Sequence, residues 1–207
     1  METDIRGMVE TMMRLQDGHN KKVHADWRTQ GYDYYRAIWT ECAELMDHYG
    51  WKWWKKQERD IEQVKLEIID IWHFGLSDLM RSNRLEIGIK ALEDLRVEGD
   101  QSDPSQFRSA VERLAELTLV HRSFPMDSFC DLLKTCQMSV EELFKLYVGK
   151  NVLNDFRQDH GYKTGKYKKI WDGREDNEHL MEILHQLDCA SDEVPQKLYE
   201  GLQNRYR

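Results

Sequence analysis

One stretch of the sequence decides the fold class: Ile68-Ile69-Asp70-Ile71-Trp72-His73-Phe74-Gly75-Leu76. It lies in a segment, 58–81, whose apolar residues recur at intervals of three and four, which is typical of an α-helix. Apolar residues surround Asp70 on nearly every side of that helix. Burying an unpaired carboxylate costs several kcal/mol, so Asp70 must be compensated, by an Arg or Lys side chain or by a metal ion.

The same periodicity runs through most of the chain. It predicts helices over 1–17, 32–49, 58–81, 84–98, 105–121, 125–136, 139–159, 175–188 and 194–204. Gly50 is expected to end the second helix, and Ser139 with Glu142 to form a capping box. Residues 161–174 hold three glycines and no clear period, so we expect a loop there. The predicted fold is a compact all-α helical bundle, a single domain over 1–207, in which a short connector makes 32–49 and 58–81 antiparallel neighbours.

Composition excludes several classes of protein. The chain has 207 residues, 33% of them charged, and a net charge of −8. Its Trp, Leu and Ile content argues against intrinsic disorder, and its acidic balance argues against a duplex-DNA binder. It has no apolar run of the about 18 residues that a membrane span needs. The acidic N-terminus and the scattered Cys42, Cys130, Cys136 and Cys189 predict a cytoplasmic protein without a membrane or nucleic-acid partner.

Two pairs of acids form a candidate metal site. Glu41 and Glu44 are three residues apart on one predicted helix, and Glu67 and Asp70 are three apart on the next. Residues at this spacing share a helix face, so the four carboxylates can converge between the two helices. They would repel one another unless a cation lay between them, and hard oxygen ligands suit Mg²⁺ or Mn²⁺. Such spacing is also common on solvated faces, but the apolar surroundings of Asp70 favour the metal.

A di-iron centre is a competing interpretation. Asp70-x-x-His73 and Glu182-x-x-His185 both resemble the carboxylate-x-x-His motif of di-iron helical bundles. Two further single acids would complete that design, which leaves Glu67 without a role. His73 could instead be a hydrogen-bonded core residue or contact a nucleobase.

The net charge conceals a basic segment. Residues 145–174 carry eight Lys and Arg against three Asp, a charge of +5, so the rest of the chain carries −13. Basic side chains and exposed amides at glycines suit a polyphosphate, although the segment is not a P-loop. With Tyr162, Tyr167 and Trp171 it could also bind single-stranded nucleic acid or an acidic partner. Together with an acidic metal cluster, the segment favours a nucleotide.

Three tryptophans mark the connector between the two acid-bearing helices. Trp51, Trp53 and Trp54 can be core filler, a partner-binding patch or a stacking platform. They cannot all face one way, so at least one is expected to pack in the core. With the basic segment they also leave open a helical binding module that is not an enzyme.

The motifs together resemble a known family. The spacing of Glu41-x-x-Glu44 and Glu67-x-x-Asp70 is similar to the signature of the all-α nucleoside triphosphate pyrophosphatases. Several longer motifs resemble those of the dimeric dUTPases in particular. They are Glu41-Cys-Ala-Glu-Leu45, Gly50-Trp-Lys-Trp-Trp-Lys55, Glu67-Ile-Ile-Asp-Ile-Trp-His-Phe74, Lys150-Asn-Val-Leu-Asn-Asp-Phe-Arg-Gln-Asp-His-Gly-Tyr-Lys163, Tyr167-x-Lys169 and Gly173-Arg-Glu-Asp-Asn177. The middle of the chain, about 82–138, holds no such motif.

The resemblance implies a homodimeric enzyme that cleaves dUTP, and usually dUDP, to dUMP. Water would attack the β-phosphorus, and two or three Mg²⁺ ions, or Mn²⁺, would hold the phosphate chain. A related pyrophosphatase that also accepts dCTP is the alternative. By motif position, the metal ligands would be Glu41, Glu44, Glu67 and Asp70, with Glu44 preferred over Glu41 as the residue that activates water. Phosphates would be held by Lys150, Arg157, Tyr162, Lys163 and Lys169, and the nucleoside by Gln16, Asn20, Trp51, His73, Asn154 and Asn177.

Overall fold

Helices dominate the computed structural model, which describes residues 4–97, 104–187 and 194–206. The described helices are α1 (Ile5–Val23), α2 (Tyr34–Tyr49), α3 (Ile61–Arg81), α4 (Leu85–Glu93), α5 (Pro104–His121), α6 (Met126–Thr135), α7 (Val140–Asp159), α8 (Asp176–Gln186) and α9 (Val194–Arg205). Two strands, β1 (Ile170–Trp171) and β2 (Arg174–Glu175), pair antiparallel. The predicted all-α fold class is confirmed.

The predicted helix ends mostly agree with the observed ones, and those of α1 and α4 differ most. α1 extends to Val23, beyond the end predicted at residue 17. The prediction ended too early because the buried positions in this stretch are polar and do not resemble a core face. α4 stops at Glu93, before the predicted end, and residue 98 itself lies outside the described ranges. The expected loop 161–174 contains a 3-10 turn and most of the β1–β2 hairpin.

The hairpin turns on two residues in the left-handed region. Asp172 has a φ of 48° and Gly173 a φ of 79°. An Asp-Gly pair with positive φ at both positions is the favoured sequence for a two-residue hairpin. Asp172 and Gly173 therefore form the turn that joins β1 to β2.

The contacts divide the chain into two compact units, Met1–Phe144 and Lys145–Arg207. α7 crosses this boundary. At its N-terminus the Ser139 Oγ accepts a hydrogen bond from the Glu142 backbone N–H at 3.2 Å, as the capping box predicts. The Glu142 carboxylate pairs with Lys65 at 2.5 Å. The single-domain expectation for 1–207 stays a prediction.

α3 is the central helix of the first unit. It contacts α1, α2 and α4 and buries Trp72 completely, with the Trp72 ring stacked on Phe129 at 5.3 Å. Its contact with α2 is antiparallel. The Asp60 N–H, just before α3, donates to the His48 carbonyl near the end of α2 at 3.1 Å, while Glu41, earlier in α2, faces residues further along α3.

Asp78 on α3 shows how this unit compensates a buried carboxylate. The side chain is 1% exposed and accepts hydrogen bonds from Arg81, Arg84 and the Phe124 backbone N–H. Two guanidinium groups and one amide therefore replace the water that the carboxylate loses on burial.

The second unit has an aromatic core. Phe156, which is fully buried, contacts the rings of Trp171, Tyr199 and Tyr206. α8 and α9 pack together, and a Cβ at Gly201 would lie 3.1 Å from the Ile183 side chain. The small residue at Gly201 therefore permits the close approach of α9 to α8.

No helix in the described ranges is both long and apolar enough to cross a membrane. The described cysteines, Cys42, Cys130 and Cys136, are free thiols, and burial raises the pKa of each to about 12. Cys189 lies outside the described residues.

Gly75→Ala should destabilise the protein, because a Cβ at this position would lie 2.7 Å from ring carbons of Phe124. We expect a loss of about 2 kcal/mol in the free energy of unfolding, typical of overpacking a dense core. Urea denaturation measures it. The matched control is Gly18→Ala on α1, where a Cβ would meet nothing within 4 Å. This variant should gain about 0.5 to 1 kcal/mol from helix propensity. Equal effects of the two substitutions would contradict the packing argument.

Candidate active site

Three of the four predicted metal-ligand carboxylates lie together. One side-chain oxygen from each of Glu41, Glu67 and Asp70 lies within 4.8 Å of the others. Glu67 is 5% exposed, and the other two are half-buried. The antiparallel contact of α2 and α3 brings Glu41 opposite the pair on α3. The convergence predicted from the spacing is therefore present in the first unit.

The electrostatics of this cluster favour a cation. Burial, together with the negative charges of Asp70 and Glu67, raises the pKa of Glu41 to about 8. A carboxyl group with such a pKa is one whose negative charge the surrounding side chains do not compensate. The donor set is made of hard oxygens only, without His or Cys, and this set fits Mg²⁺ or Mn²⁺.

Glu44 lies outside the cluster. It is exposed, on α2, yet its charge also contributes to the raised pKa of Glu41. His48, which the sequence patterns did not indicate, lies beside the cluster, with its Nε2 3.7 Å from the Glu67 Oε1. The signal was available, since His48 follows Glu44 by four residues and so shares its helix face.

Glu182, in the second motif of the di-iron interpretation, forms ion pairs with arginines. Glu182 is on the surface, 47% exposed, and pairs with Arg174 and Arg205. Hydrogen bonds from these two arginines lower the pKa of Glu182 to about 2. A carboxylate held by two guanidinium groups has little capacity left for a metal, so this arrangement argues against the di-iron interpretation.

Three of the predicted nucleoside-binding residues join one buried hydrogen-bond chain, which Ser77 completes. The Gln16 amide donates to the Asn20 Oδ1 at 3.1 Å, and the Asn20 amide donates to the Ser77 Oγ at 2.9 Å. The Ser77 hydroxyl in turn donates to the His73 carbonyl at 2.9 Å. The His73 Nδ1 lies 2.7 Å from the Gln16 Oε1.

With these donors and acceptors, the hydrogen-bond chain favours one tautomer of His73. The Ser77 hydroxyl donates its proton to the His73 carbonyl, so its oxygen accepts from the Asn20 amide. The Asn20 Oδ1 in turn accepts from the Gln16 amide. The Gln16 carbonyl oxygen can only accept, so the His73 Nδ1 must carry the proton. In the neutral ring the Nε2 is then a hydrogen-bond acceptor.

The tryptophan connector differs from its prediction. Trp51, Trp53 and Trp54 are 46%, 90% and 57% exposed, so none packs in the core. They contact one another edge to face, with Trp54 between the other two at 5.2 and 5.4 Å. A cluster of mutually packed indoles removes the need for each ring to face the interior. The Trp51 Nε1 donates to the Asp47 carboxylate at 3.1 Å.

The second unit holds the predicted phosphate-binding residues of α7 with polar partners. The Lys150 ammonium, 1% exposed, donates to the Asn177 Oδ1 at 3.1 Å. The Arg157 guanidinium donates to both carboxylate oxygens of Asp176 at 2.8 Å and to the Asn154 Oδ1 at 3.1 Å. Asp176 was missed, because one acid near several others at a helix start has no distinctive sequence pattern.

The remaining phosphate candidates lie on the surface of the second unit. Tyr162, Lys163 and Lys169 are exposed, and Lys169 pairs with Glu175 at 3.3 Å. The structure therefore gathers Lys150, Arg157, Asn154 and Asn177 through hydrogen bonds and leaves these three at the surface.

Comparison with known proteins gives a family. The sequence model of a family described as dUTPase matches residues 8–162. The match includes Gln16, the acidic cluster and Arg157, and it ends before Lys163, Lys169 and Asn177. A search of curated proteins gave no significant match. With three quarters of its length matched, the chain belongs to the dUTPase family of dimeric, all-α enzymes that hydrolyse dUTP.

Proposed function

We propose that this dUTPase hydrolyses dUTP and dUDP to dUMP in a Mg²⁺-dependent reaction, releasing pyrophosphate or phosphate as water attacks the β-phosphorus. The observation that carries the proposal is the cluster of Glu41, Glu67 and Asp70, with oxygens within 4.8 Å and a pKa of about 8 at Glu41. Such a cluster needs a divalent cation, and a polyphosphate substrate brings its own negative charge to the same cation.

Different acidic residues would bind the metal and activate the water. Glu41, Glu67 and Asp70 would hold Mg²⁺, two or three ions in all, or Mn²⁺, with Glu44 as a further ligand. Bound Mg²⁺ would neutralise phosphate oxygens and polarise the phosphorus. Glu44, which is exposed and outside the tight cluster, is the better candidate to orient the attacking water and accept its proton, with Glu41 second.

The basic residues would hold the phosphate chain. Lys150 and Arg157 are fixed by hydrogen bonds to neighbouring side chains, so they lose little freedom when an anion binds. Tyr162, Lys163 and Lys169 are exposed and would be further phosphate contacts. Lys and Arg side chains would neutralise the negative charge of the bound phosphate chain.

The nucleoside would contact Gln16, Asn20, Trp51, His73, Asn154 and Asn177. Within this set, the His73 Nε2 presents a hydrogen-bond acceptor. Uracil has a donor at N3, whereas cytosine has an acceptor there, so this tautomer favours dUTP over dCTP. A mismatched buried polar pair is discriminated more strongly than a lost apolar contact.

We further propose a homodimer of single-domain subunits in the cytoplasm, without a nucleic-acid or membrane partner. Membership in a family of dimeric enzymes supports the dimer, and the net charge of −8 argues against a nucleic-acid partner.

A nucleotide panel tests the reaction. With Mg²⁺ the protein should release pyrophosphate from dUTP and phosphate from dUDP, with dUMP as the product of both, and chelation of the metal should abolish turnover. Rates for dCTP, dTTP and dATP should be at least about 100-fold lower. Equal turnover of dCTP would favour the pyrophosphatase of wider specificity. Release of phosphate alone from dUTP would contradict attack at the β-phosphorus.

Substitution of single acids separates metal binding from water activation. Glu67→Gln should lose both turnover and the rise in melting temperature that Mg²⁺ produces. Glu44→Gln should lower kcat by about 100-fold, typical of a lost general base, and keep most of the melting shift. Glu112→Gln, at an exposed position on α5, is the control and should keep both. Full activity in Glu44→Gln would remove this residue from the chemistry.

Ser77→Ala tests the hydrogen-bond chain. The substitution removes the acceptor for Asn20 and frees the amides to rotate, so the His73 tautomer is no longer fixed. We expect the ratio of kcat/KM for dUTP to that for dCTP to fall about tenfold, the value of one buried hydrogen bond. Ser82→Ala, at the end of the same helix, is the matched control and should keep the ratio. An unchanged ratio in Ser77→Ala would show that the chain does not set selectivity.

A further inference from the structure

The C-terminal helix α9 is a part of the second unit that neither the family match nor the dUTPase-like motifs include. The match ends at residue 162, and α9 spans Val194–Arg205. α9 nevertheless buries Leu198 and Leu202 fully and packs on α8. A segment with this much buried apolar surface belongs to the folded unit, so its contacts have consequences for the residues around it.

The residue after α9, Tyr206, packs against the basic segment. Its ring stacks on the ring of Tyr167, with centroids 5.4 Å apart and planes within 9°. Its hydroxyl oxygen accepts a hydrogen bond from the Lys168 backbone N–H at 3.2 Å. It also meets Trp171 edge to face at 5.1 Å. The position of Tyr167 is therefore set from the C-terminal end of the chain.

Tyr167 leads from this contact to a phosphate-binding residue. Its hydroxyl donates to the Asp176 Oδ2 at 2.9 Å. Asp176 is fully buried, and its two oxygens also accept the paired hydrogen bonds of Arg157. Burial and the charge of Asp176 raise the pKa of Tyr167 above its usual value, which keeps the hydroxyl protonated as a donor.

The contacts form one continuous sequence: Tyr206 against Tyr167, Tyr167 to Asp176, and Asp176 to Arg157. A bidentate contact with a buried carboxylate fixes the plane of a guanidinium, and that plane decides which oxygens it can reach. Loss of the stacked ring would allow Tyr167 to move and remove one donor from Asp176.

We propose that Tyr206 is a positioning residue for polyphosphate binding, acting through Tyr167 and Asp176 on Arg157. The inference rests on the proposed function, in which Arg157 binds the phosphate chain. It adds that the C-terminal helix, beyond the part of the chain that matches the family, takes part in substrate affinity.

Tyr206→Leu in the full chain tests this role. We expect the KM for dUTP to rise about five- to tenfold with kcat within about twofold, because a phosphate contact made equally in the ground and transition states affects KM alone. Inhibition by deoxyuridine, which has no phosphate, should weaken by less than about twofold, because Asn154, which Arg157 also contacts, is one of several nucleoside contacts. Tyr206→Phe keeps the stacked ring and should restore the KM to within about twofold of wild type.

Two further variants separate positioning from folding. Tyr199→Leu removes a ring of the same size from α9. Tyr199 contacts Phe156 and Asp159 and reaches Tyr167 only indirectly, through the Phe156 ring, so this variant should lower the melting temperature without raising the KM. In an Asp176→Asn background, Tyr206→Leu should add less than about twofold, because both act on the same guanidinium.

The outcomes distinguish the two proposals. A wild-type protein that does not hydrolyse dUTP would overturn the proposed function and this inference with it. An active wild type with an unchanged KM in Tyr206→Leu would overturn the inference alone. A parallel weakening of deoxyuridine inhibition, or a KM in Tyr199→Leu that rises as far as in Tyr206→Leu, would also overturn it, since either result indicates general destabilisation.

Discussion

The repulsion among Glu41, Glu67 and Asp70 is the constraint on which the first unit depends. Carboxylates within 4.8 Å of one another oppose the contact of α2 with α3, so the rest of that contact must hold the two helices together. Both helices bury apolar side chains, including Leu45 on α2 and Ile71 on α3, and pack against each other. α3 also carries Asp78, which the protein neutralises with its own arginines. One helix thus bears a carboxylate neutralised by arginines and two others that lie in a cluster of acids.

Much of this could be predicted from the sequence, and the exceptions have physical causes. The apolar periodicity predicted the helices, and the equal spacing of the two acid pairs predicted that Glu41, Glu67 and Asp70 converge. The end of α1 was missed because Asn20 is buried yet polar. The Asp172-Gly173 turn was missed because the strands on either side are only two residues long and show no alternation.

Partners of functional side chains were the least predictable feature. Ser77 and Asp176 each fix the orientation of residues that a ligand would touch, but neither has a sequence signature. A serine in a helix and an acid at a helix start are common in any protein. Ser77 contacts Asn20, which lies 57 positions earlier, and Asp176 contacts Arg157, 19 positions earlier. A sequence pattern does not show contacts over such separations. In both units, the sequence predicts candidate site residues, and the tertiary contacts determine their orientation.

The tryptophan connector has an optical consequence. Trp27, Trp72 and Trp171 are buried, whereas the remaining indoles are exposed and lie on α2 or directly after it: Trp39, Trp51, Trp53 and Trp54. A dissolved quencher therefore quenches only the exposed tryptophans of this stretch, which lie on or directly after the helix that carries Glu41 and Glu44. The protein has an intrinsic fluorophore cluster next to its acidic residues, so the quenchable fraction of its fluorescence reports on events at α2 without any attached label.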